Sequence, residues 1–148
     1  LDLDETLVHY FDMGPDSHFL IRPGCFEFIE EMSKYFELVI FTAACKIMLI
    51  QYSIKLIKQN NLILTLLTTP SPHGHLIAKD LSKLGRDLKR TLLLDNVVDN
   101  FALQPLNGIF ITTWYDNMND RELYDLMPLL KGLVIHKVKD VSKTLQFF

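Results

Sequence analysis

Short apolar runs of strand length alternate along this chain with stretches of helical periodicity, and that alternation is the strongest constraint on what it can fold into. Residues 1–3, 37–41 (ELVIF), 62–67, 91–94 (TLLL) and 108–112 (GIFIT) read as strands. Between them, Arg22-Pro23-Gly24 leads into CFEFIEEMSKY, where Phe26, Ile29 and Met32 recur at helical spacing with Phe28 beside them, and Pro23 suits a helix start. A helix is expected over residues 44–59, closed by Asn60-Asn61, then a short one at 81–84 and others near 120–130 and 140–146. Residues between Leu3 and Arg22 read as loop. So does TTPSPHGH, 68–75, whose two prolines and glycine leave no room for a regular element. Strands this apolar are buried on both faces, so the expectation is an α/β fold with a central, mainly parallel sheet.

At 148 residues the chain is expected to form a single domain, 1–148, and 49% hydrophobic content suffices for a full core. Net charge is −3 with Lys and Arg scattered, which argues against a direct nucleic-acid partner. Cys25 and Cys45 have neither metal-ligand spacing nor the numbers for a disulfide framework; they read as small buried hydrophobes in a reducing intracellular setting, nucleus or cytoplasm. The longest apolar stretch, 36–50, is broken by Glu37, Thr42 and Lys46 and falls short of the roughly 18 residues of a membrane span. Because the chain opens on Leu1 inside a strand-like run, residues are expected to precede it in the parent protein. A monomer is the default.

In open parallel sheets ligands bind beyond the carboxyl ends of the strands. Those positions are polar here: Asp2, Asp4 and Thr6 after the first run, Thr42 after the second, Lys79-Asp80 in a loop, and Asp95-Asn96 after TLLL. Phosphoryl transfer needs an in-line nucleophile, cations around the equatorial oxygens and a proton for the leaving group. Asp2 and Asp4 can divide attack and proton handling between them, and carboxylates are established nucleophiles of this kind. Asp2 and Asn96 offer oxygens suited to Mg²⁺. Lys79 provides a point charge and Thr42 a hydroxyl for phosphate oxygens, while Asp95 can orient Lys79 or a metal-bound water. Taken singly, each has an ordinary reading: a turn at Asp2–Thr6, a helix cap at Thr42, a solvated lysine at 79, a turn at Asp95-Asn96. Their joint order at strand ends favours the functional one.

The stretches LDLDETLVH (1–9), RPGCFEFIEEM (22–32), IFTAA (40–44), KDLSKLGRDL (79–88), LLLDN (92–96), QPLNGI (104–109) and WYDNMNDRELYDLMPLL (114–130) resemble the RNA polymerase II C-terminal-domain phosphatases, also called NLI-interacting-factor-like phosphatases, of the haloacid dehalogenase superfamily. The resemblance implies a three-layer Rossmann-like fold with only a short cap insertion. It implies a Mg²⁺-dependent protein serine/threonine phosphatase working through an aspartyl-phosphate on a phosphorylated protein or peptide, with the polymerase tail as one target. Asp2 is the implied nucleophile and metal ligand, and Asp4 the general acid and base, reaching the metal through its backbone carbonyl. Thr42 and Lys79 would hold the phosphoryl group and Asn96 would complete the metal site, with Thr6 and Asp95 in support.

Two departures bear on substrate. Only YFDMGPDSHFLI separates His9 from Arg22, where tail-directed relatives carry a longer insertion, and Thr68 stands near where an arginine is expected before the lysine motif. Tyr10, Phe11, Phe19 and Trp114 are candidates for apolar contacts beside the phosphate. Two other readings stay open: a noncatalytic binding domain of this fold, and a phosphatase of small metabolites.

Overall fold

A computed structural model describes residues 1–42, 63–65, 69–70 and 77–147. The strands are β1 (Val8–Phe11), β2 (His18–Ile21), β3 (Val39–Phe41), β4 (Ile63–Thr65), β5 (Thr69–Pro70), β6 (Ile77–Ala78), β7 (Leu93–Asp95) and β8 (Gly108–Phe110). The helices are α1 (Cys25–Met32), α2 (Glu122–Ile135) and α3 (Val141–Thr144). The helix expected over 44–59 lies outside the described residues.

A parallel sheet forms around the first residues of the chain. Strand β3 pairs with β4 and β7 with β8, both parallel. Leu1 and Asp2 lie between the two pairs: Leu1 N donates to Val39 O and Phe41 N to Leu1 O, each at 2.7 Å, while Asp2 N donates to Leu94 O at 2.9 Å. The resulting order, β4–β3–residues 1–2–β7–β8, puts the start of the chain at the sheet's centre.

Strand periodicity divides the apolar side chains between two faces. Ile40 and Leu94 join the larger cluster with Leu3, Phe28, Ile29, Leu123, Leu130 and Leu133, under α1 and α2. Their neighbours Phe41 and Leu93 turn the other way onto Leu81 and Phe101, beside the 3-10 turns Leu81–Leu84 and Val98–Phe101. The α/β expectation is met.

Helix α1 buries Cys25, Phe28, Ile29 and Met32. Phe26, expected on that face, is exposed, because the buried face begins one position earlier, at Cys25. Gly24 caps the helix at φ 80, where a Cβ would come within 2.7 Å of the Tyr124 ring. Helix α2 runs past its expected end at 130 to Ile135 with Pro128 inside it, since Leu130 and Leu133 both gain core contacts.

Two segments read as loop contain strands. β1 and β2 form an antiparallel hairpin turned by Gly14–Asp16, its register setting Tyr10 opposite Phe19. Within 68–75, Thr69–Pro70 pairs antiparallel with Ile77–Ala78. Proline contributes no donor, which confines it to edge or terminal strand positions rather than excluding it.

Candidate active site

Every site residue singled out from the sequence lies at the carboxyl edge of the parallel sheet or in the turn beyond it. Asp2 ends the central stub, Thr42 follows β3, Lys79 follows β6, Asp95 ends β7 and Asn96 follows it. Thr6 and Asp4 belong to the tight turn after the stub. That turn is over-determined: Glu5 has φ 56, Glu5 N donates to Val8 O at 2.7 Å, and Trp114 N donates to Glu5 O at 2.8 Å. Strained backbone of this kind persists only where its surroundings hold it.

Lys79 is the hub. Its side chain is 1% exposed, so the reading as a solvated lysine is set aside. The ammonium donates to Asp2 Oδ1 and, at 2.6 Å, to Asp95 Oδ2. Asp95 is otherwise occupied: Val97 N reaches Oδ1 at 2.9 Å and Asn100 Nδ2 reaches both oxygens at 2.9 and 3.0 Å. Both of its oxygens are thus engaged by Lys79, Val97 and Asn100. Asn100 also accepts from Lys79 N through its backbone carbonyl at 2.7 Å, fixing the same lysine twice over.

Burial pushes the Asp2 carboxyl up from its usual range, while the Lys79 ammonium pulls against that shift and the Thr6 hydroxyl adds a weaker downward pull. Thr6 Oγ1 donates to Asn96 Oδ1 at 3.3 Å, and Asn96 Nδ2 donates to Thr113 Oγ1 at 3.2 Å. Thr42 Oγ1 donates to Asp4 Oδ2 at 3.4 Å. Lys79 thus links Asp2 with Asp95, Thr6 links to Asn96, and Asp4 pairs with Thr42.

The donor chemistry suits a hard divalent cation. Asp2 and Asp95 bring two buried carboxylates against one buried ammonium, so an added cation would find net negative charge. Carboxylate, amide and backbone oxygens are the ligands Mg²⁺ prefers. Among the described residues no group of three or more His, Cys, Asp or Glu side chains gathers into a softer or larger metal cluster. Burial pushes the Cys25 thiol up to about 12, which fits a packing role; Cys45 lies outside the described residues.

Three of the four aromatic candidates prove to serve packing instead. Trp114 is 2% exposed and donates from Nε1 to Asn117 O, while Tyr10 and Phe19 pack against the core with ring centroids 4.9 Å apart. Phe11 remains, in a ring ladder with His9 and His18, and His9 in turn meets Tyr115. Asn100, Thr113 and the partners of Arg22 were not read from the sequence. The pair Thr112-Thr113 follows an apolar run as Thr42 does, and that placement was the available signal.

Comparison with known proteins finds relatives along nearly the whole chain. A "Probable C-terminal domain small phosphatase" of Dictyostelium discoideum is 37% identical over 98% of this chain and 52% of its own length. The human "Carboxy-terminal domain RNA polymerase II polypeptide A small phosphatase 1" is 35% identical over 99% of this chain and 62% of its own. The chain therefore spans between half and two thirds of the length of these relatives. Among solved structures, the fission yeast RNA polymerase II CTD phosphatase Fcp1-R271A bound to beryllium fluoride superposes with a TM-score of 0.59 over 97% of this chain and 52% of that one; at 16% identity this shows a shared fold alone. The family profile described as NLI interacting factor-like phosphatase matches residues 1–142, and the chain belongs to that family.

Proposed function

We propose that this domain is a Mg²⁺-dependent phosphoprotein phosphatase that passes through a phospho-aspartate on Asp2. The observation that carries the reading is the buried Lys79 ammonium shared between Asp2 and Asp95 at the sheet's carboxyl edge, with the Asp4–Thr42 and Thr6–Asn96 pairs in the turn and strand ends of that edge. The relatives' names, small phosphatases of the polymerase C-terminal domain, support a phosphorylated protein as substrate.

In this mechanism an Asp2 oxygen attacks phosphorus in line, a P–O bond forms, and the ester P–O bond breaks. Asp4 gives its proton to the departing serine or threonine oxygen. Lys79 and Thr42 hold the phosphoryl oxygens, and the tether from Asp95 keeps the ammonium aimed while negative charge builds. Asp4 then takes a proton from the water that attacks the aspartyl-phosphate, which frees inorganic phosphate and restores Asp2. Asp2, the Asp4 carbonyl and Asn96 are the residues that would hold Mg²⁺, whose contribution is to offset charge on the nucleophile and the phosphoryl group. Glu5 at positive φ lies in the turn that carries Asp4, directly after the stub that ends in Asp2.

Phosphoserine and phosphothreonine peptides, free sugar phosphates and nucleoside phosphates assayed with and without Mg²⁺ test the proposal, with Asp2→Asn as the control. Mg²⁺-dependent release of phosphate should favour the peptides, and Asp2→Asn should lower turnover by at least about 10⁴ while leaving the circular dichroism unchanged. Wild-type rates in the Asp2→Asn protein would end the covalent mechanism. A metabolite that beat every peptide by about tenfold in kcat/KM would move the substrate class to small phosphates.

A further inference from the structure

Asn100 holds Lys79 at both ends. Its backbone carbonyl accepts from Lys79 N at 2.7 Å, and its side-chain Nδ2 donates to both oxygens of Asp95, the carboxylate that receives the lysine ammonium, at 2.9 and 3.0 Å. The orientation of this amide is settled by its partner. Val97 N donates to Asp95 Oδ1 and Lys79 Nζ to Asp95 Oδ2, and neither group can accept. The carboxylate therefore has no hydrogen to offer, and it can face only the NH₂ end of Asn100.

The turn that carries Asn100 is anchored in the core. Asn100 N donates to Val97 O at 3.0 Å within the 3-10 turn Val98–Phe101, and Phe101 is buried with Phe41, Leu81 and Leu93. A Cβ at Gly108 would collide with the Phe101 ring, so the glycine of β8 is what lets that ring seat. Gln104, three residues on, fastens the segment that follows Lys79. Its Oε1 accepts from Leu81 N and its Nε2 donates to Asp80 Oδ1, both at 3.0 Å.

We propose that Asn100 is a positioning residue whose side-chain donor, by satisfying Asp95, leaves the Lys79 ammonium held toward Asp2, where the phosphoryl group is to bind. The proposal rests on the phosphatase reading above and adds to it a residue that touches no reacting atom. Asp95 and Lys79 are fully buried, so each depends on protein groups for the bonds that water would otherwise make. The ammonium is shared between two carboxylates, and every bond that Asp95 receives from elsewhere weakens its claim on that ammonium. Val97 N is fixed by the main chain. Without Asn100 Nδ2, the Lys79 ammonium is the donor on a flexible stem that can make up the loss, and it does so at the expense of Asp2. Leucine has nearly the shape of asparagine but no donor, and it keeps the backbone carbonyl that holds Lys79 N.

kcat and KM for p-nitrophenyl phosphate would be measured at saturating Mg²⁺ for the wild-type chain, Asn100→Leu, Asp95→Asn and the double variant, per folded molecule by circular dichroism. Asn100→Leu should lower kcat by about tenfold with KM within about threefold, a loss realised mainly in the transition state. In the Asp95→Asn background, where the neutral amide makes no charged claim on the ammonium, the same substitution should cost less than about twofold. Should leucine disrupt folding, Asn100→Ala carries the same expectations. A wild-type kcat in the leucine or alanine variant overturns the role of Asn100, and so does an equal loss in both backgrounds, since Asn100 would then brace its turn without acting through Asp95. A wild-type chain that releases no phosphate overturns the phosphatase reading, and this one with it.

Discussion

Two buried cations, Lys79 and Arg22, are each about 1% exposed, and they are used in opposite ways. Arg22 gives its donors to acceptors that take no part in the chemistry, namely both oxygens of Asp120, the carbonyls of Thr6 and Thr112, and Glu122 at 3.4 Å. A planar fork saturated this way is a clasp, and it joins the turn after the stub to the segments around β8 and α2. Lys79 is a compact point charge with one dedicated partner, Asp95, and one partner, Asp2, to which the chemistry is assigned. A clasp gains from having every donor committed, whereas a phosphate-binding ammonium must be able to share its charge with a substrate.

Replacing Lys79 should produce the larger effect of the two, and in rate rather than stability. Lys79→Met removes charge from the phosphoryl site and leaves Asp2 and Asp95 with no ammonium between them, which favours a protonated and poorly nucleophilic carboxyl at neutral pH. Turnover at saturating Mg²⁺ should fall by about 10² to 10³. Lys79→Arg should not restore it, because a planar guanidinium cannot occupy a site shaped for a point charge. The comparison breaks if the methionine variant keeps its rate and loses its fold, since Lys79 would then be a second clasp.

Arg22→Met sharpens the same contrast from the other side. Two backbone carbonyls would lose a donor and Asp120 its partner, while the apolar stem is retained. Urea unfolding should show a loss of about 2–4 kcal/mol with little change in slope, while turnover per folded molecule falls less than in Lys79→Met. A variant as stable as wild type would remove Arg22 as the joint between these segments.

The contrast also explains what the sequence disclosed. The partners of Lys79 were legible because Asp2 and Asp95 end the stub and β7 of the parallel sheet, whose strand ends meet at one edge whatever the loops do. Lys79 itself was expected in a loop and follows β6 of the antiparallel β5–β6 pair. The partners of Arg22 were not legible, since a carbonyl acceptor such as Thr6 O or Thr112 O leaves no mark on residue type. Asp120 looks like any acid near a helix start. Thr113 and Asn100 were missed for a related reason: each bonds a site residue from a segment whose approach depends on tertiary packing. The hairpin β1–β2 was hidden because its strands face the core on one side only, at Tyr10 and Phe19, and its turn uses Gly14 in a 3-10 bend instead of a two-residue hairpin signature. Helix α1 was legible as an element but rotated, because Phe26, Phe28 and Ile29 are all apolar and periodicity alone cannot choose among them.

The smallest expected effect isolates the charge in the Arg22 clasp from its geometry. Hydrogen bonding by the Arg22 guanidinium holds the Asp120 carboxyl below its usual range. A carboxyl depressed by folding contributes stability that is fully present above its unfolded value, near pH 4, and is lost as pH falls through the lower folded value. Asp120→Asn keeps one acceptor for Arg22 Nε but carries no charge to lose. At pH 7 the variant should be less stable by about 1 kcal/mol, the scale of a partly exposed charged hydrogen bond. Thermal unfolding of both proteins from pH 7 to pH 3 should show the gap closing below about pH 4, as the wild-type carboxyl takes up its proton. Glu37, Asp80 and Asp140 are also held low by their partners, but they titrate alike in both proteins, so the difference between the two curves reports Asp120. A gap that stayed constant to pH 3 would mean that Arg22 needs only the shape of its partner. The clasp would then be a matter of hydrogen-bond geometry, and charge would distinguish the Lys79 site alone.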